Sequence, residues 1–106
     1  MSLTPQVEVW AAASISAAGA FLSQSGKFSS VALVGSTYTL TLLPDQGVDA
    51  AERYIAVSST DLSAADRAVS VNGAIATDNV VTVQGFQAGV AGVCAFSILI
   101  YKKRLG

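Results

Sequence analysis

The stretch Thr37-Tyr38-Thr39-Leu40-Thr41-Leu42 decides the fold class of this chain. One tyrosine and two leucines alternate with three threonines, so that one face of the stretch is apolar and the other carries hydroxyl groups. Strict alternation over six residues is typical of a half-buried β-strand, and threonine and tyrosine both favour strands. The Gly35-Ser36 pair just before it is a turn signal. The stretch therefore predicts a strand that begins directly after a tight turn.

The same period of two recurs on both sides of this stretch. Near the N-terminus, the odd positions from Val7 to Ile15 are all apolar, and a valine-rich run follows Asn79. Glycine-bearing turns separate the runs, a spacing that favours a β-sandwich or jelly roll. We predict an all-β, single-domain, antiparallel β-sandwich of jelly-roll-like organisation over residues 1–106, with 1–5 and 103–106 as flexible termini. Its seven or eight strands are expected in the blocks 6–17, 20–25, 27–34, 36–43, 53–59, 67–76, 79–85 and 93–102.

Three segments are less clear in the sequence. The alanine-rich residues 11–20 have high helix propensity, but the i, i+2 spacing favours a strand. Residues 49–53 and 61–66 each begin with an aspartate that could cap a helix, yet each is too short for more than one turn, so we interpret both as loops. Residues 84–92 hold three glycines and are also predicted to form a loop.

Composition excludes several classes of protein. Apolar residues make up 52% of the 106 residues and charged residues only 12%, which argues against intrinsic disorder. Six basic residues face seven acidic ones, so the charge balance gives no support to nucleic-acid binding. The two long uncharged stretches, 9–24 and 80–101, are interrupted by polar residues and glycines, and neither predicts a membrane-spanning helix.

Catalytic and metal-binding chemistry also find little support. The chain has no histidine, which removes the usual catalytic triads and most zinc sites. The single cysteine, Cys94, lies in an apolar run and is expected to be buried rather than a reactive thiol. The acids Asp45, Asp49 and Glu52 lack the spacing of a calcium loop. We therefore predict no enzymatic activity, no cofactor and no metal.

Four residues are candidates for contact with a partner. Trp10 is the only tryptophan; it either packs in the core or points outward as an interface anchor. Lys102, Lys103 and Arg104 form a basic run that is either a solvated tail or a contact for an acidic partner surface. Neither alternative is excluded by the sequence.

The three tyrosines also allow two interpretations. Tyr38, Tyr54 and Tyr101 could form a platform on which sugars stack, but tyrosines in strands more often pack across neighbouring strands.

The alternation also predicts a core and an outer surface. The outer positions carry Ser, Thr, Ala and Val where a soluble monomer carries charges. Such weakly polar faces associate readily, and a small domain gains stability from association, so we expect a homo-oligomer. Outward positions suited to burial include Thr37, Thr39, Thr41, Ser70 and Thr82. The predicted core consists of Tyr38, Leu40, Leu42, Ile55, Val57, Val81, Val83, Phe96, Ile98 and Ile100.

A resemblance to a known group rests on the order of turns and strand aromatics. Residues 26–31 read Gly-Lys-Phe-Ser-Ser-Val and residues 35–42 read Gly-Ser-Thr-Tyr-Thr-Leu-Thr-Leu; Tyr54-Ile55-Ala56-Val57 and Phe96-Ser97-Ile98-Leu99-Ile100-Tyr101 follow. This order resembles the small β-sandwich domains of tailed bacteriophages, namely head decoration or cement proteins, head fibres and tail-fibre tips.

The resemblance implies a non-enzymatic viral structural protein. We expect a capsid decoration or cement subunit that binds the major capsid protein or another virion protein, stabilises the assembled head, and is located in the virion after assembly in the host cytoplasm. A homotrimer is the oligomer that the resemblance implies, without nucleic acid or membrane as partner. The alternative is a small receptor- or carbohydrate-binding module such as a fibre tip.

Overall fold

The structure, a computed structural model, describes residues 6–43, 53–60, 66–71 and 80–104. These residues form β-strands and the turns between them, and no helix occurs in the ranges described. The strands are β1 (Gln6–Ile15), β2 (Phe21–Gln24), β3 (Phe28–Val34), β4 (Thr37–Leu42), β5 (Arg53–Ser59), β6 (Arg67–Val71), β7 (Val80–Gln87), β8 (Val90–Ala91) and β9 (Phe96–Arg104).

The strands make two antiparallel sheets that pack face to face. Sheet A has the order β2-β1-β9-β5, and sheet B has the order β3-β4-β7-β6, with the short β8 paired to β7. Strands β3 and β4 form a hairpin around Gly35, whose φ of +63° at the first position of the two-residue turn is the conformation that glycine adopts without strain. The predicted antiparallel β-sandwich is confirmed.

The core lies between the two sheets and is built from alternate positions of the central strands. Burial in β4 alternates residue by residue along its whole length, as the threonine-leucine pattern predicted. Phe96 on β9 and Tyr38 on β4 meet edge to face in the centre, with ring centroids 5.0 Å apart. The buried apolar residues are Ala11, Ala13, Ile15, Phe28, Tyr38, Leu40, Leu42, Val81, Val83, Cys94, Phe96, Ile98 and Ile100.

Two residues of the predicted core are only partly buried. Ile55 and Val57 pack against the core cluster without belonging to its buried set. They lie on β5, which is an edge strand of sheet A, so that a neighbouring strand covers them on one side only. The alanine-rich start of the chain is a strand, as the i, i+2 spacing predicted, and Ala11 and Ala13 contribute to the core.

The prediction of a loop over residues 84–92 was wrong. Strand β7 continues to Gln87, and a two-residue turn at Ala88-Gly89 leads into β8. Both turn residues have positive φ, 51° and 81°, which is the requirement of a type I′ hairpin turn. Alanine rarely adopts this conformation, which costs about 1–2 kcal/mol, so the sequence carried no hairpin signal here.

The outer limits of the strands differ from the prediction at several ends. Strand β9 runs through Lys103 and Arg104, which we expected in a flexible terminus, and these residues pair with Val7 and Gln6 of β1. The expected turn at 44–47, the acids Asp45, Asp49 and Glu52, and the expected hairpin at 77–79 lie outside the described residues.

The hydroxyl of Tyr38 ties three parts of the fold together. It donates a hydrogen bond of 2.7 Å to the carbonyl of Ala17, in the turn between β1 and β2. It also accepts a hydrogen bond of 3.0 Å from the backbone N–H of Cys94, in the segment that leads into β9. One phenol on sheet B therefore holds a turn of sheet A and the segment that leads from sheet B to sheet A.

This arrangement predicts a loss of stability at alkaline pH. Burial raises the pKa of the Tyr38 hydroxyl above its ordinary value of 10.0, and the hydrogen bond from Cys94 opposes this rise without cancelling it. The unfolded chain then loses the proton at a lower pH than the folded chain. The contribution of the protonated Tyr38 hydroxyl to the free energy of unfolding is complete below about pH 10. It is lost as the pH rises from there through the folded-state pKa.

Urea unfolding at about pH 8, 10 and 11 tests this prediction, since these values span the ordinary tyrosine pKa. The difference in unfolding free energy between the wild type and Tyr38→Phe is expected to shrink above pH 10, because the variant lacks the titrating group. All other residues are the same in the two proteins, so the comparison isolates the Tyr38 hydroxyl. A difference that stays constant or grows with pH would contradict the prediction.

Candidate interaction surfaces

The outer face of sheet B is uncharged at the positions that the structure describes. Its centre consists of Thr37, Thr39 and Thr41 on β4, and Thr39 lies directly opposite Thr82 on β7. Side chains of similar size therefore stand next to each other in neighbouring strands. The described side chains of this face contain no charge and are Ser30, Ala32, Val34, Thr37, Thr39, Thr41, Ala68, Ser70, Val80, Thr82, Gln84 and Phe86.

Polar groups on this face bind one another. The hydroxyl of Thr37 donates to the side-chain oxygen of Gln84 at 2.8 Å, and the Gln84 amide donates to the hydroxyl of Ser36 at 2.6 Å. The face is therefore only weakly hydrated where these groups meet. Val34, an apolar side chain with 77% of its surface exposed, lies at the same end of the face.

The outer face of sheet A carries a row of serines across all four strands. Ser14 on β1 lies opposite Ser23 on β2 and Ser97 on β9, and Ser97 lies opposite Ser58 on β5. The hydroxyls of Ser14 and Ser97 are 3.3 Å apart. The next row consists of Ala12, Leu99 and Ala56.

Small side chains on β1 leave a groove on this face. The groove has a volume of about 290 Å³ and lies between Leu99 on one side and the Ser23–Ser25 segment on the other. A reciprocal pair of hydrogen bonds fixes that second wall, since Ala12 N–H donates to the Ser25 hydroxyl at 3.1 Å and Ser25 N–H donates to the Ala12 carbonyl at 2.9 Å. The sequence carried no sign of this groove, because its walls come from segments far apart in the chain.

The charged sequence positions of sheet A lie at one end of the sheet. By register, Glu8 on β1 lies opposite Lys102 on β9, and Lys102 lies opposite Arg53 on β5. Lys103 and Arg104 follow in the same strand. The predicted partner residues Lys102, Lys103 and Arg104 are therefore placed at the end of the sheet and not in its centre.

Trp10 lies at an irregularity of strand β1. Val9 pairs with Tyr101 and Ala11 with Ile100, which leaves Trp10 as the extra residue of a β-bulge. Trp10 is half-buried and packs against the core, and the Lys27 ammonium lies 5.3 Å from its ring centroid. The bulge breaks the expected alternation, since Val9 is exposed whereas Ala11 is buried. Of the two alternatives for Trp10, its position corresponds to packing against the core.

The tyrosines do not form one platform. Tyr38 is fully buried in the core, whereas Tyr101 is half-buried on the outer face of sheet A. Tyr54 lies opposite Tyr101 in the pairing of β5 with β9, which is the cross-strand position that we considered for strand tyrosines.

Cys94 is buried, as predicted, and is not in a disulfide. Its sulfur lies 3.1 Å from the hydroxyl of Ser59. Within the described ranges, no group of three or more His, Cys, Asp or Glu side chains is arranged as a metal site. The part of the chain that the structure describes also contains no helix long and apolar enough to cross a membrane.

Comparisons with protein-family models, with curated proteins and with solved structures found no match.

Proposed function

We propose that this chain is a non-enzymatic structural subunit of a virus particle, a capsid decoration or cement protein that self-associates and binds the assembled head. The observation that carries the proposal is the absence of charge from the described side chains on both outer faces of the sandwich. A monomer that worked alone in solution would carry charges at such positions.

The physical mechanism of such a subunit is burial of weakly polar surface. Removing a serine or threonine hydroxyl from water costs less free energy than removing a charged group. The hydroxyls can also form hydrogen bonds across an interface. A subunit that binds the assembled shell but not the separated capsid proteins shifts the assembly equilibrium toward the shell by mass action. No reacting group is needed for this role.

Receptor or carbohydrate binding, as in a fibre tip, is the alternative. The groove on sheet A offers serine hydroxyls, but its volume of about 290 Å³ is at the lower limit of small-molecule sites. Its lining contains no aromatic ring on which a sugar could stack. The groove therefore supports the alternative less well than the extended faces support a structural role.

Purified virus particles from the source of this sequence test the proposal. We expect mass spectrometry of gradient-purified heads to find the chain at a copy number comparable with that of the major capsid protein. Because the described side chains of the two faces are uncharged, we also expect the chain to stay bound when the salt concentration rises from about 0.05 M to about 0.5 M, where charge-based contacts are screened.

The copy number separates the two functions. A handful of copies per particle, found with tails and not with heads, would favour the fibre-tip alternative. Absence of the chain from both heads and tails would contradict a virion role. Loss from heads at moderate salt would show that charged groups, such as the basic end of β9, make the contact.

A further inference from the structure

We infer that the outer face of sheet A is a self-association surface, on which a second copy of this chain docks by two-fold symmetry. The inference rests on the proposed function only in that the chain self-associates. It names the face and replaces the trimer that the phage resemblance implies with a pair.

The shape of this face is complementary to itself. Strand β9 presents Leu99 as a ridge, and the neighbouring strands present Ala12 on β1 and Ala56 on β5 directly beside it. On each side of the Leu99 ridge, the neighbouring side chain is thus only a methyl group. When two sheets pack face to face, large and small side chains interdigitate, so the Leu99 ridge of one copy fits the Ala12 hollow of the other.

On sheet B this alternation occurs at one end, where Phe86 on β7 lies between Ala68 on β6 and Ala91 on β8, whereas the centre of the sheet lacks it. Thr39 lies between Ala32 on β3 and Thr82 on β7, so the two central strands carry side chains of equal height. A groove is found on sheet A and its lining includes both Ala12 and Leu99. Shape therefore distinguishes the centres of the two faces, although the described side chains of both centres are uncharged.

Charge favours a second copy as the occupant. In a two-fold interface the same patch meets itself, so that a charged residue near the axis faces its own copy. Such like-charge contacts cost several kcal/mol. The centre of sheet A contains serines, alanines and Leu99, and its charged residues lie in rows at one end. The centre of the face can therefore meet itself without repulsion.

Apolar surface supplies a driving force at the rim of the same face. Val9 on β1 and Leu22 on β2 are 54% and 68% exposed. Leu22 is the unpaired residue where the register of β1 and β2 shifts, next to Ser23 of the groove wall. Docking of a second copy over the groove brings these side chains into contact with protein.

The size of the face predicts a reversible pair. With strands about 4.8 Å apart and a rise of about 3.4 Å per residue, the whole sheet, including its charged end, covers at most roughly 500 Å² in projection. Specific interfaces begin at about 600 Å² per partner. We therefore expect a pair that forms and dissociates with concentration.

Light scattering and sedimentation from about 1 µM to about 1 mM, a range that covers weak association, test the inference. The wild type is expected to shift from the chain mass of 10.8 kDa to twice that mass. Ser97→Arg places a charge in the centre of the face and is expected to weaken pairing at least about 100-fold. Leu99→Ala removes the ridge without adding charge and is expected to weaken it about tenfold or more.

Matched variants on sheet B provide the controls. Thr39→Arg is the control for Ser97→Arg, because it too places an arginine at a half-buried position in the middle of a strand. Val34→Ala is the control for Leu99→Ala, because it too shortens an apolar side chain. Both control variants are expected to pair like the wild type. Circular dichroism and thermal melting of each variant separate loss of pairing from loss of folding.

Three results would overturn the inference: a wild type that stays at the chain mass over the whole range, a mass of three chains, or a Thr39→Arg variant that loses pairing while Ser97→Arg keeps it. None of these results bears on whether the chain occurs in purified heads. Conversely, a chain missing from heads and tails leaves the pairing through sheet A intact, so the two failures are distinguishable.

Discussion

Phe96→Ala is expected to lower the free energy of unfolding by about 3–5 kcal/mol, the largest effect that we predict for a single substitution. Phe96 has no exposed surface and lies on β9, a central strand of sheet A. Its ring packs edge to face on Tyr38 of the opposite sheet, so the substitution opens a cavity between the two sheets. Urea unfolding at a fixed protein concentration measures the change, since self-association would otherwise contribute.

Phe86→Ala is the matched control for this prediction. Phe86 is half-buried on the outer face of sheet B, so only part of its ring area is removed from water. We expect a loss of about 1 kcal/mol. Equal losses for the two variants, or a loss below about 1 kcal/mol for Phe96→Ala, would show that Phe96 is not in the core.

Tyr38→Phe is expected to cost about 1–3 kcal/mol, because it removes a hydrogen-bond partner from the buried backbone N–H of Cys94. The ring and its contact with Phe96 remain, so the effect reports the hydroxyl alone. Ala17 loses its partner as well, but its turn is half-exposed and water can replace the phenol there.

A local measurement accompanies this second prediction. Hydrogen exchange at the Cys94 amide is expected to speed up in Tyr38→Phe more than exchange in the centre of β4. Tyr101→Phe, on the half-buried outer face of sheet A, is the control and is expected to change stability by less than about 0.5 kcal/mol. If Tyr38→Phe and Tyr101→Phe had the same effect, the hydroxyl of Tyr38 would have no role in holding the connections.

Both predictions concern the layer between the sheets, whereas the proposed functions concern the outer faces. A variant such as Ser97→Arg changes an outer face and leaves Phe96 and Tyr38 in place. Stability and association can therefore be altered separately in this protein, which makes the tests of the proposals independent of the tests of the fold.

The strands and the buried face of most of them were determined by the sequence alone. In β4 and β7 the alternation of apolar and polar residues is local, and it predicted Tyr38, Leu40, Val81 and Val83 as buried residues. The low charge of the outer positions was equally plain, since each strand shows its own two faces.

The tertiary structure decided the features that depend on neighbouring strands, namely burial at a sheet edge, the bulge in β1 and the conformation of one turn. The edge position of β5 left Ile55 only partly buried, and the bulge at Trp10 put Val9 on the face opposite that of Ala11. The Ala88-Gly89 turn has backbone angles that Ala88 does not favour.

The serine row and the hollows beside Leu99 also exist only in the folded chain. They join strands from the two ends of the sequence, because β1 pairs with β9. Alternation within a strand tells which side of that strand faces the core, but strand order and register are set by packing between distant segments, and these decide which side chains share a surface.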